Sequence, residues 1–295
     1  MSNAVTVAGA SERGSERHQL DYPYGICIDQ NGTILVVDRA NHRVVEWKPN
    51  ATSGTVVAGG NGEGNELNKL RSPSDVTVDE VSNTIIICDH GNRRVVQWPR
   101  QGGKSGKVII RKINCSGLAI DDQQFLYVTD TNEHEVRRYR LGSEEYKVVA
   151  GGKKQGNRLD QLDHPHFVFV DRDQSVYVSD SNNHRVMKWT KNAKEGIVVA
   201  GTRGEGCGLT QLCYPSGVYV DPTGVLYVVD GGNHRVMRWC NLMTQVTMIA
   251  GGNGSGKAES QLNNPEGLAI DKSGNLYVID SLNCRVQQFC VQAEI

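Results

Sequence analysis

One motif, Asp-x-x-Asn-x-Arg-Val, recurs along the 295-residue chain at nearly constant spacing. It begins at Asp38, Asp89, Asp180, Asp230 and Asp280, and a degenerate copy begins at Asp130. Successive copies lie 51, 41, 50, 50 and 50 residues apart. Nine residues after each Asp stands an aromatic residue: Trp47, Trp98, Tyr139, Trp189, Trp239 and Phe289. A period of 40 to 50 residues indicates a repeat architecture of six similar units.

Each unit contains four short segments in which apolar residues alternate with polar ones, as in Val225-Leu-Tyr-Val-Val-Asp and Arg235-Val-Met-Arg-Trp. This alternation predicts β-strands, and the Gly, Asn, Pro and Asp residues between them predict turns. The pattern therefore indicates an all-β, six-bladed β-propeller with four-stranded blades. The sixth unit lacks its outermost strand, and the chain opens with Val5-Thr-Val-Ala-Gly. We expect this N-terminal strand to complete the last blade and close the ring.

The sixth unit reads Pro265-Glu-Gly-Leu-Ala-Ile-Asp, Gly274-Asn-Leu-Tyr-Val-Ile-Asp and Asn283-Cys-Arg-Val. This pattern resembles the NHL-repeat β-propellers, with five good blades and one degraded blade. The resemblance implies one propeller domain over residues 5–295. Residues 1–4, Met-Ser-Asn-Ala, are interpreted as an expression remnant. Members of that family include RNA- and protein-binding modules, extracellular sensor domains and lyases, so the fold alone does not select an activity.

The charge balance excludes one class of function. The 32 Lys and Arg residues against 33 Asp and Glu leave a formal charge of −1, which excludes a polyanion binder driven by bulk charge. No apolar window approaches 18 residues, so no membrane insertion is predicted for this segment. The compartment stays open. Of the eight Cys, Cys207 and Cys213 share one loop and are the best candidates for a disulfide, although free thiols are favoured.

The repeated Asp, Asn and Arg residues are predicted to be architectural, because six symmetry-related positions cannot all belong to one active site. The same reasoning assigns the repeated aromatic residues to packing between blades. A His recurs four residues after the Asp in four units, at His42, His134, His184 and His234. Equivalent positions on neighbouring blades are too distant to share one ion, so these residues are expected to stabilise turns or to lie at the surface.

Residues that depart from the repeat are the functional candidates. In the family that the sequence resembles, long loops leading into each first strand surround the channel mouth. Here these loops end in Pro, and the residues flanking that Pro vary from blade to blade. The predicted ligand-binding set at the mouth is Tyr22, Tyr24, His164, His166, Tyr214 and Glu266.

Blade three departs most, because its shortened interval removes the long loop and predicts a notch in the rim. Glu133 and Glu135 replace the repeated Asn and Arg. Residues 91–158 carry 14 Lys and Arg against 7 Asp and Glu, a basic sector in a nearly neutral chain. Within it, Arg111, Lys112 and Arg137 form the predicted basic notch.

These observations favour a non-enzymatic interaction module that binds a protein, peptide or glycan on the loop-bearing face. The first alternative is RNA binding through the basic sector, which predicts a steep salt dependence. The second is a metal-dependent lyase or hydrolase, with His164, His166 and Asp163 joined by His18 or Glu266. A catalytic zinc site usually needs three convergent ligands, and blade four alone offers these His residues. No cofactor is predicted, and the chain is expected to be monomeric.

Overall fold

The computed structural model describes residues 4–9, 12–201, 204–240 and 245–290. They form six four-stranded antiparallel sheets, each ordered from an inner to an outer strand. The inner strand of every blade contacts the inner strands of the blades before and after it, and blade six contacts blade one. The predicted all-β, six-bladed β-propeller is thereby confirmed.

The first three blades follow one another along the chain. In blade one, β2 to β5 span Pro23–Ile28, Ile34–Asp38, Arg43–Trp47 and Thr55–Gly59. In blade two, β6 to β9 span Asp75–Asp79, Thr84–Asp89, Arg94–Pro99 and Lys107–Arg111. In blade three, β10 to β13 span Cys115–Ile120, Phe125–Asp130, Glu135–Arg140 and Tyr146–Gly151.

The last three blades repeat this order, with one exception at the end of the ring. In blade four, β14 to β17 span Pro165–Val170, Val176–Asp180, Arg185–Trp189 and Ile197–Ala200. In blade five, β18 to β21 span Pro215–Val220, Leu226–Asp230, Arg235–Cys240 and Gln245–Gly251. In blade six, β22 to β24 span Pro265–Ile270, Asn275–Asp280 and Arg285–Cys290, and β1, Val5–Ala8, pairs antiparallel with β24. The N-terminal strand thus closes the ring as predicted.

The repeated Asp, Asn and Arg form a clamp in five of the six blades. In blade one, Asp38 Oδ2 accepts hydrogen bonds from Asn41 Nδ2 at 2.8 Å and from Arg43 Nε at 2.6 Å. Arg43 also donates to the backbone carbonyl oxygens of Ser15, Glu16 and Gln19. The clamp therefore fastens the long rim loop of its own blade to the turn between the second and third strands, which is an architectural role.

Blade three lacks both the rim loop and the clamp Arg. Strand β9 ends at Arg111 and β10 begins at Cys115, so no loop carbonyls need a donor. Glu135 occupies the Arg position, and Arg137 pairs with Glu135 at 2.6 Å and with Asp130 at 3.2 Å. The missing rim loop thus also explains the missing clamp Arg, because without the loop there are no carbonyl oxygens for that Arg to bind.

The hydrophobic core consists of six clusters between blades. Trp98, for example, packs with Leu35 and Val37 of blade one and with Ile85 of its own blade. The aromatic residues of the repeat are all 4% exposed or less, as expected for residues that pack blade against blade. Four 3₁₀ turns, His90–Asn92, Ser181–Asn183, Gly231–Asn233 and Ser281–Asn283, are the helical segments of the described residues. None of these is long enough to cross a membrane.

A disulfide joins Cys88 to Cys115, with their Cα atoms 5.7 Å apart, and links blade two to blade three. Cys115 occupies the place held by Pro in the other five blades, which brings its side chain against the second strand of the preceding blade. Cys207 and Cys213 are free thiols, so the bridge considered for them is not formed. Of the proposed N-terminal remnant, residues 1–3 lie outside the described residues, and Ala4 is buried against blades five and six.

Candidate binding site at the channel mouth

Six residues surround the axis at the loop-bearing face, one at the start of each inner strand. Each follows a Pro, or in blade three a Cys, that begins the inner strand, except in blade two, where Pro73 and Ser74 directly precede β6. They are Tyr24, Ser74, Ser116, His166, Ser216 and Glu266. Three of these are Ser residues that are almost fully buried, so Tyr24, His166 and Glu266 give the mouth its chemistry.

Tyr24 and His166 form an axial bar across the channel. Blades one and four face each other in a six-bladed ring, and the Tyr24 hydroxyl lies 3.3 Å from His166 Nδ1. The Tyr24 ring also stacks on Phe167 at a centroid distance of 5.7 Å. Burial raises the pKa of Tyr24, and burial, reinforced by Arg39, lowers the pKa of His166 to about 4. The bar is therefore a neutral pair near pH 7.

Arg39 and Glu266 flank this bar. The Arg39 guanidinium lies over the Tyr24 ring, with its central carbon 4.6 Å from the ring centroid. Burial raises the pKa of Glu266 to about 7, although Asn264 donates to its carboxylate at 2.9 Å. Within the described ranges, Arg39 forms no salt bridge. Arg39 is thus a charged donor at the mouth without an ion-pair partner among the described residues, although its charge favours the ionised form of nearby Glu266.

A polar cavity of about 430 Å³, the upper cavity, opens above the bar. Side chains from blades one to four line it: Tyr24, Arg39, His90, Asn114, Ser116, Thr131, Asn132, His164 and His166. Asn114, Ser116, Thr131 and Asn132 come from blade three, where the rim loop is missing. The notch therefore widens the mouth on one side.

Tyr22, His164 and Tyr214 lie farther out on the rim and are exposed. All three have a positive φ, between 46° and 49°, which the backbone needs to turn into the Pro of the inner strand. The backbone N–H of His164 donates to His134 Nδ1 at 3.1 Å, and that of Tyr214 donates to His184 Nδ1 at 3.2 Å. The recurring His residues thus bind the rim backbone of the next blade, a role between blades rather than the turn or surface role expected from the sequence.

Two groups of side chains offer three potential metal ligands each. His134, Asp163 and His164 form one, and His184, Glu205 and Cys213 form the other. In both groups the first His already accepts a backbone hydrogen bond through Nδ1. Burial and Glu205 also raise the pKa of Cys213 to about 11.

The mixed metal site proposed from the sequence is not assembled. Neither three-ligand group among the described residues contains His18, His166 or Glu266. His18 is exposed on the rim loop of blade one, whereas His166 belongs to the axial bar. The two blade-four His residues consequently point to different neighbours.

The basic notch is only partly free. Arg111 and Lys112 are exposed where blade two leads into blade three. Arg137 lies apart from them in the ion pairs described above and over the Tyr146 ring at 4.5 Å. Arg100 of the same basic sector pairs with Asp29 at 2.7 Å and with Glu46 at 3.1 Å. Part of the positive charge is therefore neutralised within the fold.

Sequence reasoning missed Arg39, which follows the repeated Asp38 and falls within an otherwise architectural motif. It also missed Asp75 and Phe167, which occupy a position that is Gly25, Gly117, Gly217 or Gly267 in the other blades. The sequence signal that could have identified Asp75 and Phe167 is that they replace a Gly repeated in the other four blades. In the blades with Gly this position faces the inner strand of the next blade, so a side chain here changes the contact between neighbouring inner strands.

The six-bladed fold and its recurring Asp-Asn-Arg clamps define a class of repeat β-propeller. Comparison with known proteins identifies the same repeats. The NHL repeat family matches residues 20–47, 162–189, 212–238 and 262–289, which fall in blades one, four, five and six. The chain therefore contains NHL repeats and folds as a six-bladed β-propeller.

Particular relatives cover only part of the chain. It is 35% identical over 100 residues to NHL repeat-containing protein 2 of Bos taurus, which is 30% of this chain and 14% of that protein. It is 41% identical over 51 residues to Protein wech of Drosophila melanogaster, covering 17% of this chain and 6% of that protein. The chain thus matches a small fraction of these longer relatives.

Solved structures share the fold over nearly the whole chain. A protein of unknown function from Bacteroides thetaiotaomicron has a TM-score of 0.79 at 19% identity, over 99% of this chain and 76% of that one. An auxiliary nutrient binding protein from the same organism has a TM-score of 0.75 at 17% identity, over 97% and 76%. A streptogramin B lyase has a TM-score of 0.62 at 11% identity, over 98% of both chains. At these identities the likeness establishes the fold alone.

Proposed function

We propose that this chain is a non-enzymatic interaction module that binds a protein, peptide or glycan ligand on its loop-bearing face. The observation that carries the proposal is the upper cavity, a polar recess of about 430 Å³ beside the blade-three notch. A recess of this size accommodates one side chain, a chain terminus or one sugar ring. Its ligand would be anchored in the recess and would extend over the rim.

The lining indicates the chemistry of that anchor. Arg39 carries a formal charge, whereas the described residues that line the recess include no carboxylate. Ser116, Thr131 and the side-chain amides of Asn114 and Asn132 add hydrogen-bonding groups. An Arg with this environment favours a ligand carboxylate, which accepts two parallel N–H bonds from a guanidinium. An acidic side chain, a peptide C-terminus or an acidic sugar therefore fits the recess.

The rim provides the surrounding contact surface. Tyr22 and Tyr214 are 41% and 53% exposed, which is high for aromatic residues in a folded domain. Exposed Tyr residues are enriched at interfaces because they provide apolar area at little cost in conformational entropy. They belong to blades one and five, whereas His164 lies beside the notch, with its ring 5.1 Å from that of His134 in blade three. A ligand that extends from the recess would contact them.

Peptide and glycan arrays test the proposal. Wild-type protein, Arg39→Gln and Asn132→Trp, which narrows the recess without changing Arg39, are compared with the control Arg172→Gln. Arg172 is exposed in the turn between β14 and β15 and does not line the recess. Carboxylate-bearing ligands should lose at least tenfold in affinity in the first two variants and keep it in the control.

Two outcomes would contradict the proposal. Ligands whose binding is unchanged in both recess variants would place the site elsewhere. Binding to RNA rather than to peptides or glycans, with a steep loss between low and physiological salt and dependence on Arg111 and Lys112, would favour the nucleic-acid alternative.

A further inference from the structure

A second recess, the lower cavity, lies on the axis on the other side of the bar. Its volume is about 230 Å³, and inner strands of all six blades line it. Tyr24 and His166 are not among its lining residues, but Ile26 and Phe167, which begin the next layer of the channel, are. The two cavities share no lining residue. A ligand here would be recognised independently of the proposed function.

Asp75 places a carboxyl group in this apolar wall. Its side chain reaches both flanking blades: it lies against Gly25, and its Oδ2 accepts the Leu118 N–H at 2.8 Å. Oδ1 accepts the Val76 N–H at 2.9 Å. Asp75 is 4% exposed and forms no salt bridge with any described cation. Burial raises its pKa to about 8.

The loss of stability that a buried, unpaired carboxyl such as Asp75 causes points to a role other than folding. A buried carboxyl without a counter-charge destabilises a protein. Four of the six blades hold Gly at this place, so the repeat itself does not require a carboxyl there. A cation that entered the lower cavity would supply the missing charge.

Aromatic rings line the opposite side of this cavity. Phe169 and Tyr219 come from blades four and five, with ring centroids 5.0 Å apart, while Asp75 belongs to blade two. The equivalent places in the other blades hold smaller residues: Cys27, Thr77, Ala119 and Ala269. Aromatic faces opposite a carboxylate are a recurrent means of binding organic ammonium ions.

The turn-face end of the cavity provides no competing cation site among the described residues. An Asp lies at the end of each inner strand: Asp29, Asp79, Asp121, Asp171, Asp221 and Asp271. In blades one, three, four and six the residue just before this Asp lines the lower cavity. These carboxylates accept N–H groups of the following turns, and Asp29 is paired with Arg100, so Asp75 is the carboxyl group that a cation in the cavity would meet. The upper cavity has the opposite character, with Arg39 and no carboxylate.

We infer that the lower cavity binds a small organic ammonium ion, with its ammonium group at Asp75 and its apolar or aromatic body against Phe169 and Tyr219. A cavity of 150 Å³ holds benzene, so about 230 Å³ holds an aromatic ring with a short aminoalkyl group. Arrival of the ammonium group stabilises the ionised carboxylate. No covalent step is involved.

Isothermal titration with three probes of similar shape tests this inference. Benzylammonium carries the positive charge, benzyl alcohol is its neutral counterpart and phenylacetate carries the opposite charge. At about pH 8.5, where the Asp75 carboxyl is ionised and the amine is still protonated, wild-type protein should bind benzylammonium at least tenfold more tightly than benzyl alcohol. Phenylacetate should not enter the lower cavity.

Matched variants locate the binding. Asp75→Asn should bring the affinities for benzylammonium and benzyl alcohol to within threefold of each other. Ala269→Phe, which copies the residue at the equivalent place of blade four, should fill the cavity and abolish binding of both. Arg39→Gln changes only the upper cavity and should leave benzylammonium binding unchanged.

The inference is overturned if wild-type protein binds none of the probes or does not distinguish benzylammonium from benzyl alcohol. Undiminished binding in Ala269→Phe would overturn it as well. Should Asp75→Asn fail to fold, the probe series on wild-type protein together with Ala269→Phe still decides the matter. These outcomes are separate from those of the array experiment, because that experiment depends on Arg39 and Asn132.

Discussion

Replacing the clamp residue Arg185 by Met should destabilise the propeller and release one rim loop. Its Nε donates to Asp180 Oδ2 at 2.7 Å, and its two terminal nitrogens donate to the carbonyl oxygens of Asn157, Arg158 and Gln161 at 2.8 to 3.1 Å. Asp180 is fully buried. Methionine keeps much of the volume but provides no donor and no charge.

The size of the stability loss follows from the Asp180 carboxylate, which stays buried after its partner is removed. Removing one partner of a buried ion pair costs about 3–5 kcal/mol, because the other charge stays buried without compensation. For this 295-residue chain, with an unfolding entropy of about 2.1 cal/mol/K per residue, each kcal/mol lowers Tm by roughly 1.6 °C. The expected loss is therefore roughly 5–8 °C. Arg185→Lys keeps the charge but cannot reach the same set of acceptors, so its loss should fall between zero and that of Arg185→Met.

Scanning calorimetry measures the change in Tm, and hydrogen exchange with mass spectrometry locates it. Exchange should rise first in residues 152–162, which lead to His164 and His166, while the other rim loops keep their protection. Arg172→Met, on an exposed turn, serves as the control and should shift Tm by less than about 1 °C. A loss below 2 °C for Arg185→Met, or faster exchange spread evenly over all rim loops, would refute the clamp as the cause.

Three further predictions concern ring closure, pH and the disulfide. Deleting residues 1–9 should lower Tm by many degrees in differential scanning fluorimetry, because β24 loses its partner strand; an unchanged melting curve would contradict closure by β1. Burial raises the pKa of Glu266 to about 7, so its contribution to stability is complete below the pKa of the unfolded chain, about 4.5, and is lost as pH rises through 7. Glu266→Gln should therefore match wild type in Tm near pH 4 and exceed it near pH 8, and the same difference at both pH values would refute this assignment. Cys88→Ser should cost about 3.5 kcal/mol in urea unfolding, from the sequence separation of 27 between the paired Cys, and non-reducing mass spectrometry should find six free thiols in wild type.

The sequence was sufficient to predict the fold because the propeller is specified locally and repeatedly. Alternation of apolar residues gives the strands, and the spacing of Asp38 and its equivalents gives the number of blades. The missing outer strand of blade six and the early Val5–Ala8 segment also predicted how the ring closes. Each of these signals lies within one repeat or at a chain end.

The candidate site could be predicted only in outline. The Pro-flanking rule placed Tyr24, His166 and Glu266 around the axis, but contacts across the axis, such as the bar, depend on side-chain length and direction. Arg137 was assigned to the basic notch because charge was counted along the sequence, whereas the fold pairs it with Glu135. Cys88 and Cys115 lie on different blades, so no spacing rule could pair them.

The pairing of β1 with β24 also has a consequence for biosynthesis. Thr6 and Gln287, which share a hydrogen bond, lie 281 positions apart in the chain. Because ribosomes release N-terminal segments first, β1 must wait without its partner until β24 has emerged. Contacts of such long range slow folding, and an unsatisfied strand is prone to association with other chains in the interval. Nascent molecules should therefore be most vulnerable to misassembly immediately before the last strand is released.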